Sequence, residues 1–377
     1  MAPKPTAKAA DLGDRWIYAV GDGNWGRVAA LLQCRGGLQA GQALTGTADA
    51  LLPLAGTLGH ADMIERLLAA GFGVDDSTHY GCTALWMVAF HKPPHALRCI
   101  DILLSKGANL NATSRELTTP LAMAAMEGHL DICRRLLAAG ADVNVRTNLK
   151  GSALYLACQE GQVVQLLLDA GADINITTND GATVLTAAAA GGSTEAVSAL
   201  LAAGAGSQLE APSYTGLRPL QCAADFLRAD TVAQLLQLGA RVDVRDSEGK
   251  TPLMGAVVGL TGRIVEDIWK DDTLGDAEQL EEVEDATADC EEVIDQLLCA
   301  GADPNVRWRQ QYTPLLYAAH GSPAGPYCGV LRKLLAAGAD LYATTAVGAS
   351  ALDIARLAME VDPKHLPALQ LLEAAAR

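Results

Sequence analysis

Apolar positions along this chain recur in short helical blocks separated by polar turns, and one stretch sets the pattern: "TTPLAMAAMEGHLDICRRLLAAGADVNVRTN", Thr118 to Asn148. Leu121, Ala124 and Ala125 share one helical face, where small side chains allow a close neighbour. Thr119 is placed to cap this helix, and Pro120 sits in its first turn, where a backbone N–H would be unpaired in any case. "EGH" at 127–129 breaks the pattern. A second helix is predicted over 130–138 with Ile132, Leu136 and Leu137 inward, ended by Gly140 in the left-handed region. Two helices this short cannot bury their faces alone, so neighbouring pairs must stack into a continuous core.

The unit repeats. "LLAAGAD" stands at 136–142 and again at 334–340, and the glycine that closes the phrase or its relatives falls at 71, 107, 140, 171, 204, 239, 301 and 338. Successive spacings are 36, 33, 31, 33, 35, 62 and 37 residues. The next first-helix leucine follows ten positions after the turn residue in seven units: Asp75 to Leu85, Asn111 to Leu121, Asn144 to Leu154, Asn175 to Leu185, Asp243 to Leu253, Asn305 to Leu315 and Tyr342 to Leu352. Between Gln208 and Leu220 the interval is two residues longer.

This unit resembles the ankyrin repeat, with its TPLH-type helix start, GH turn, second helix ending in LL, and GADVN before a β-turn. The resemblance covers nearly the whole chain. It implies an all-α, curved solenoid of about ten stacked helix pairs joined by short β-hairpin turns. A tail at 1–12 would precede a single repeat domain at 13–377, with degenerate caps at 13–45 and 347–377. One departure is systematic. The histidine of TPLH is replaced by Trp86, Ala122, Tyr155, Thr186, Gln221, Met254, Leu316 and Asp353, which should weaken hydrogen bonding between repeats without threatening the fold.

Composition agrees with close-packed helices: 50% of residues are hydrophobic but 4% are aromatic, so Ala and Leu fill the interior. Charge is uneven. Residues 266–295 hold fourteen acidic side chains and one basic one, Lys270, a net of −13 within a chain total of −16. That segment accounts for the gap of 62 as an acidic insertion at 260–290 in the eighth repeat, with Trp269 on a short upstream helix. Leu280, Val283, Cys290, Val293, Ile294, Leu297 and Leu298 recur at near-helical spacing, so the second helix should extend back to Asp276. The insertion reads either as a solvated excursion or as a docking element for a basic partner. Net acidity argues against nucleic acid. No apolar run reaches 18 residues and no signal peptide opens the chain, so no membrane span is expected and the location is read as cytoplasmic, with cytoskeletal, ciliary and nuclear sites left open. Nine cysteines without a CxxC pair read as reduced, buried thiols.

Three fragments imitate chemical motifs. "GDGNWG" at 21–26 follows a helical stretch where a dinucleotide fingerprint needs a strand. "GKT" at 249–251 lacks the earlier P-loop glycine, since Val244 holds that position. The two prolines of "HKPPH" at 91–95 forbid a helix that would pair its histidines. No catalytic site, cofactor or metal is expected. Binding candidates are Arg146, Arg245, Arg307, Trp308, Arg309, Tyr312, Tyr80 and Tyr214 near the hairpin tips, with Trp86 and Tyr155 on first helices and Trp269 in the insertion. Arg, Trp and Tyr are the side chains that most often carry binding energy; solvated tips are the plainer reading. The resemblance implies that tips and first helices line a concave, partner-binding face. The expected function is a non-enzymatic interaction scaffold or adaptor, a monomer or a subunit of a hetero-assembly. The alternatives are a substrate receptor of a ubiquitin ligase, whose relatives carry an extra short domain where this chain ends in "LQLLEAAAR", and a microbial effector or inhibitor. The same resemblance implies asparaginyl hydroxylation at L-x5-[DE]-[VI]-N phrases. Asn144 and Asn175 match that phrase, and Asn305 matches it imperfectly. Turn hydrogen bonding is the plainer role for all three.

Overall fold

Ser and Thr hydroxyls start the first helix of most repeats. Thr83 accepts the N–H of Trp86 at 3.3 Å, Thr119 that of Ala122 at 3.2 Å, and Thr313 that of Leu316 at 3.3 Å. Each satisfies one of the orphan donors of a helix N-terminus, typically worth about 1 kcal/mol. At the other end, Gly140 takes φ +95° and closes the second helix through Ala141 N–H to the Leu136 carbonyl at 3.1 Å. A Cβ there would touch nothing within 4 Å, so conformation and not space is what requires glycine.

The computed structural model describes residues 26–27, 51–148, 151–264, 276–321 and 327–377, which divide into two compact units at Ile176/Thr177. The expected tail, the first repeat apart from Gly26 and Arg27, and Trp269 lie outside the described residues. Among the described residues the first unit holds four helix pairs: α1 (Leu51–Thr57) with α2 (Ala61–Ala69), α3 (Ala84–His91) with α4 (Ala96–Ser105), α5 (Pro120–Met126) with α6 (Leu130–Ala138), and α7 (Ala153–Leu156) with α8 (Gly161–Asp169). The second holds five: α9 (Val184–Gly191) with α10 (Thr194–Ala202), α11 (Pro219–Asp225) with α12 (Ala229–Gln237), α13 (Pro252–Gly262) with α14 (Asp276–Cys299), α15 (Pro314–His320) with α16 (Cys328–Ala336), and α17 (Ala351–Val361) with α18 (Leu366–Ala375). Within each unit, first helices stack on first helices and second helices on second helices. Among the described residues no extended strand forms. The turns contribute isolated bridges at Ser77–Thr83, Trp308–Tyr312 and Thr344–Ser350.

The core is a column of equivalent positions. Leu85, Leu121 and Leu154 from first helices and Leu67, Leu103 and Leu136 from second helices are fully buried, each contributing roughly 1.5–3 kcal/mol. Leu137 corrects the sequence reading: it is half-buried, and Cys133, one turn before Leu136, takes the inward place. The reason is angular, because residues 136 and 137 point about 100° apart and one of them must flank the core. Six of the eight described cysteines are buried, and all eight are free thiols. Burial pushes Cys133 and Cys222 up to about 12, so they stay protonated.

The inter-repeat turns interlock. Asn144 Oδ1 accepts the N–H of Asp173 at 2.9 Å, while its amide donates to the Gly171 carbonyl at 3.2 Å. Asn305 repeats this with Asp340 N–H at 2.7 Å and the Gly338 carbonyl at 3.1 Å. Asn175 instead bonds its own turn, donating to Asp173. Across the longest interval the ladder keeps its register: Asp243 accepts the N–H of Asp303 at 3.2 Å, 60 residues away. The 24-residue α14, which lies between them in the chain, leaves this bond between the turns in place.

Candidate functional site

The hairpin tips of successive repeats are joined by backbone hydrogen bonds. In the first unit the Tyr80 carbonyl accepts Arg115 N–H at 2.8 Å, and the Glu116 carbonyl accepts Asn148 N–H at 2.9 Å. In the second, Tyr214 N–H donates to Asp180 at 2.7 Å, Ser247 N–H to Thr215 at 2.9 Å and Ala346 N–H to Gln310 at 2.8 Å. The backbones of such tips are held in fixed relative positions before any partner arrives, which lowers the ordering cost of binding.

In the first unit the tips enclose a groove of about 400 Å³ lined by Tyr80, Trp86, Met87, Phe90, His91 and Arg115, among others. Trp86 and Phe90 lie one helical turn apart on α3, with ring centroids 5.3 Å apart, and form its floor. Trp86 donates its indole N–H to Thr118 Oγ1 at 3.1 Å, and that hydroxyl meets Ser114 Oγ at 2.7 Å. The floor is thereby tied to the next repeat. Tyr80 is 62% exposed and stands at the rim. The Arg115 guanidinium lies 3.1 Å from Nε2 and 3.4 Å from Nδ1 of His79, which braces it without neutralising it. Arg146 is exposed in this unit and Tyr155 half-buried.

A second aromatic group forms in the other unit. Trp308 and Tyr312 close one hairpin, and their rings meet Tyr317 of α15 at 6.4 and 6.2 Å. Where the tips at Gly81, Gly181, Gly216, Gly249 and Gly348 place glycine at positive φ, this one has Gln310 at φ 53° and Gln311 at φ 66°, a local strain of order 1 kcal/mol or more per residue. Arg309 stacks 5.3 Å from the Trp308 ring centre and pairs with Glu248 of the preceding tip. Arg307 bonds Gln311 at 3.0 Å. Burial raises the Tyr317 hydroxyl pKa, against a hydrogen bond from Thr261 that lowers it. Tyr214, 80% exposed, lies across Gly181, where a Cβ would come within 3.0 Å of its ring. Arg245 is exposed, and its carbonyl accepts from Arg218 at 3.2 Å.

Five of the sequence candidates fall into two groups, and Arg146, Tyr155, Tyr214, Arg245 and Arg307 stand outside them. Tyr80 joins Trp86, and Trp308 joins Arg309 and Tyr312. Phe90, Arg115 and Tyr317 were missed. The i, i+4 spacing of Trp86 and Phe90 was a legible signal; Arg115 and Tyr317 reach their groups through contacts that no local spacing shows. The weakened bonding expected from the lost histidines also needs correction at two positions. Trp86 bonds forward to Thr118, and Gln221 donates to the Lys250 carbonyl at 2.9 Å, so both span repeats as a histidine would. Gln221 Oε1 also accepts the Arg218 N–H at 3.1 Å, capping a first helix that starts on arginine.

A family model described as ankyrin repeats (3 copies) matches at residues 52–147, 95–178, 121–211 and 154–246, together more than half of the chain. The chain belongs to the ankyrin-repeat family. Its similarity extends to human Ankyrin repeat and SOCS box protein 16, 31% identical over 255 residues, 66% of this chain and 50% of that protein. A shorter match, 53% identical over 53 residues, 14% of this chain and 10% of the relative, is to the probable E3 ubiquitin-protein ligase XBOS33 of rice. Among solved structures, the human ASB11 ankyrin repeat domain superposes with a TM-score of 0.50 at 26% identity, covering 68% of this chain and 98% of that one. The chain spans half the length of the SOCS-box relative it matches. An ankyrin array acts by binding proteins, and the groove and tips above are where this one presents aromatic and cationic side chains. Among the described residues no helix is long and apolar enough to cross a membrane, and no group of His, Cys, Asp and Glu is placed to hold a metal ion.

Proposed function

We propose that this ankyrin protein is a non-enzymatic scaffold that holds protein partners against its hairpin tips and first helices. The observation that carries the reading is the pair of braced aromatic groups, Tyr80–Trp86–Phe90 and Trp308–Tyr312–Tyr317, each with an arginine at its edge. Such side chains dominate binding energy when they are held rigidly and desolvated by a partner. Exposed tip residues Arg146, Tyr214, Arg245 and Arg307 extend the surface within their own units. The test is affinity capture of the tagged chain from its source cell, followed by crosslink mapping. Partner crosslinks should concentrate on tips and first helices; crosslinks confined to second helices would refute the assignment of the face.

A second reading, substrate receptor of a ubiquitin ligase, is favoured by the likeness to a SOCS-box protein and to a probable E3 ligase. Stoichiometric recovery of ligase subunits in the same capture would establish it. The acidic helix α14 is a further docking candidate for a basic partner. Glu282, Glu284, Asp285 and Glu292 are exposed on it, whereas Asp289 pairs with Arg263 at 2.7 Å, and Glu291 and Asp295 pair with Lys333. Neutralising the four exposed acids should weaken a basic partner and flatten its salt dependence, because exposed charges are screened beyond about 8 Å at physiological ionic strength. Asn144 and Asn175 are hydroxylation candidates, tested by peptide mass for one added oxygen.

A further inference from the structure

We infer that the groove beside Trp86 receives an extended acidic–apolar peptide, with a bulky apolar side chain on the Trp86–Phe90 floor and a neighbouring carboxylate on Arg115. The inference rests on the interaction reading above and adds the chemistry of the partner at one place. The floor is apolar for a specific reason: the Trp86 indole N–H is already spent on Thr118, and the Phe90 carbonyl is occupied by His129 Nε2 at 3.1 Å. A polar side chain placed there would lose its water and find no partner, so the floor selects against it. A space of about 400 Å³ suits one or two side chains of an extended segment rather than the whole face of a helix.

Charge fixes the second element. Arg115 forms no ion pair among the described residues, whereas Arg98, Arg135 and Arg263 each hold a carboxylate within 2.7 Å. Its position is nevertheless set, by its own backbone N–H on Tyr80 and by the imidazole of His79 against its guanidinium. A guanidinium braced by an imidazole and open to one side is prepared for a bidentate carboxylate. Glu116, exposed on the same rim, repels a carboxylate that enters one residue further along. The pair thus sets the direction in which the peptide lies as well as its composition.

Positional-scanning peptide arrays, probed with the full chain and with Tyr80→Ala and Arg115→Ala variants, test this. Both residues are exposed, and thermal melting checks that both variants remain folded. The native chain should retain peptides with Phe, Trp, Leu or Met at one position and Asp or Glu within about three residues of it. Arg115→Ala should lose the acidic preference and keep the apolar one. Tyr80→Ala should weaken the best peptide about tenfold, a 1.4 kcal/mol loss at an aromatic contact. Selection of basic residues, equal retention by the variants, or no selected peptide would each overturn the inference. If captured partners still crosslink to the tips while no peptide is selected, the scaffold reading survives and this inference fails.

Discussion

Two alanine substitutions on one helix should move stability in opposite directions. A Cβ on Gly259 of α13 would stand 2.1 Å from the Asp225 carbonyl oxygen and 3.0 Å from its carbon, whereas one on Gly262 would meet nothing within 4 Å. Both positions are helical, so each substitution gains up to about 1 kcal/mol from the backbone, less at the helix end where Gly262 lies. At Gly259 the obstacle is main chain and cannot rotate away. α13 must move off α11, loosening contacts around the fully buried Leu253, Met254 and Val257, at an overpacking cost of about 1–3 kcal/mol. The clash exceeds the propensity gain, and a net loss of roughly 1–2 kcal/mol is expected for Gly259→Ala. For a unit of this size that corresponds to a fall in Tm of about 2–8 °C, against a rise of about 1–2 °C for Gly262→Ala. Circular dichroism melting of the full chain at fixed pH measures both. Because repeat arrays unfold in parts, the transition to follow is the one that reports the second unit. A Tm for Gly259→Ala at or above the native value would refute the reasoning. It would mean that the end of α11 at Asp225 does not approach Gly259 of α13 as closely as 2.1 Å from a Cβ implies.

Two further outcomes follow from the turns and the last helix pair. Asn144→Ala removes the acceptor for Asp173 N–H and the donor to Gly171; both bonds are water-exposed, so about 1 kcal/mol in total is expected, seen as a lower first-unit Tm and faster hydrogen exchange at the Asp173 amide. Asn144→Asp keeps the acceptor and should recover part of the loss. His365 is buried with Nδ1 unpartnered, and burial holds its pKa below the ordinary value, with Asp362 opposing and His320 reinforcing. A base depressed in the folded state leaves stability intact above its unfolded pKa of about 6.5 and loses it as pH falls through that value. Tm measured from about pH 7.5 to 5 should therefore decline more steeply for the native chain than for His365→Gln, and parallel slopes would remove His365 from the account.

The helix pairs, their Thr caps, their closing glycines and the ten-residue step from turn to leucine were all legible along the chain. Each is a local matter: a dihedral that glycine alone adopts cheaply, a hydroxyl within reach of the next turn's N–H, an apolar face with a period of 3.6. Even the length of α14 could be read from its spacing, since a helix pattern states its own extent. The tertiary structure decided what the repeats do to one another. It chose Cys133 over Leu137 for the core, gave Trp86 and Gln221 the bridging role of the missing histidines, and carried the turn ladder from Asp243 to Asp303 across 60 residues. It also brought Arg115 to the edge of a groove built on α3. Periodicity specifies which face of a helix is buried. It carries no information about which side chain of the neighbouring repeat arrives there, because that depends on the close approach of two packed layers and on how each polar group left at their edge is satisfied.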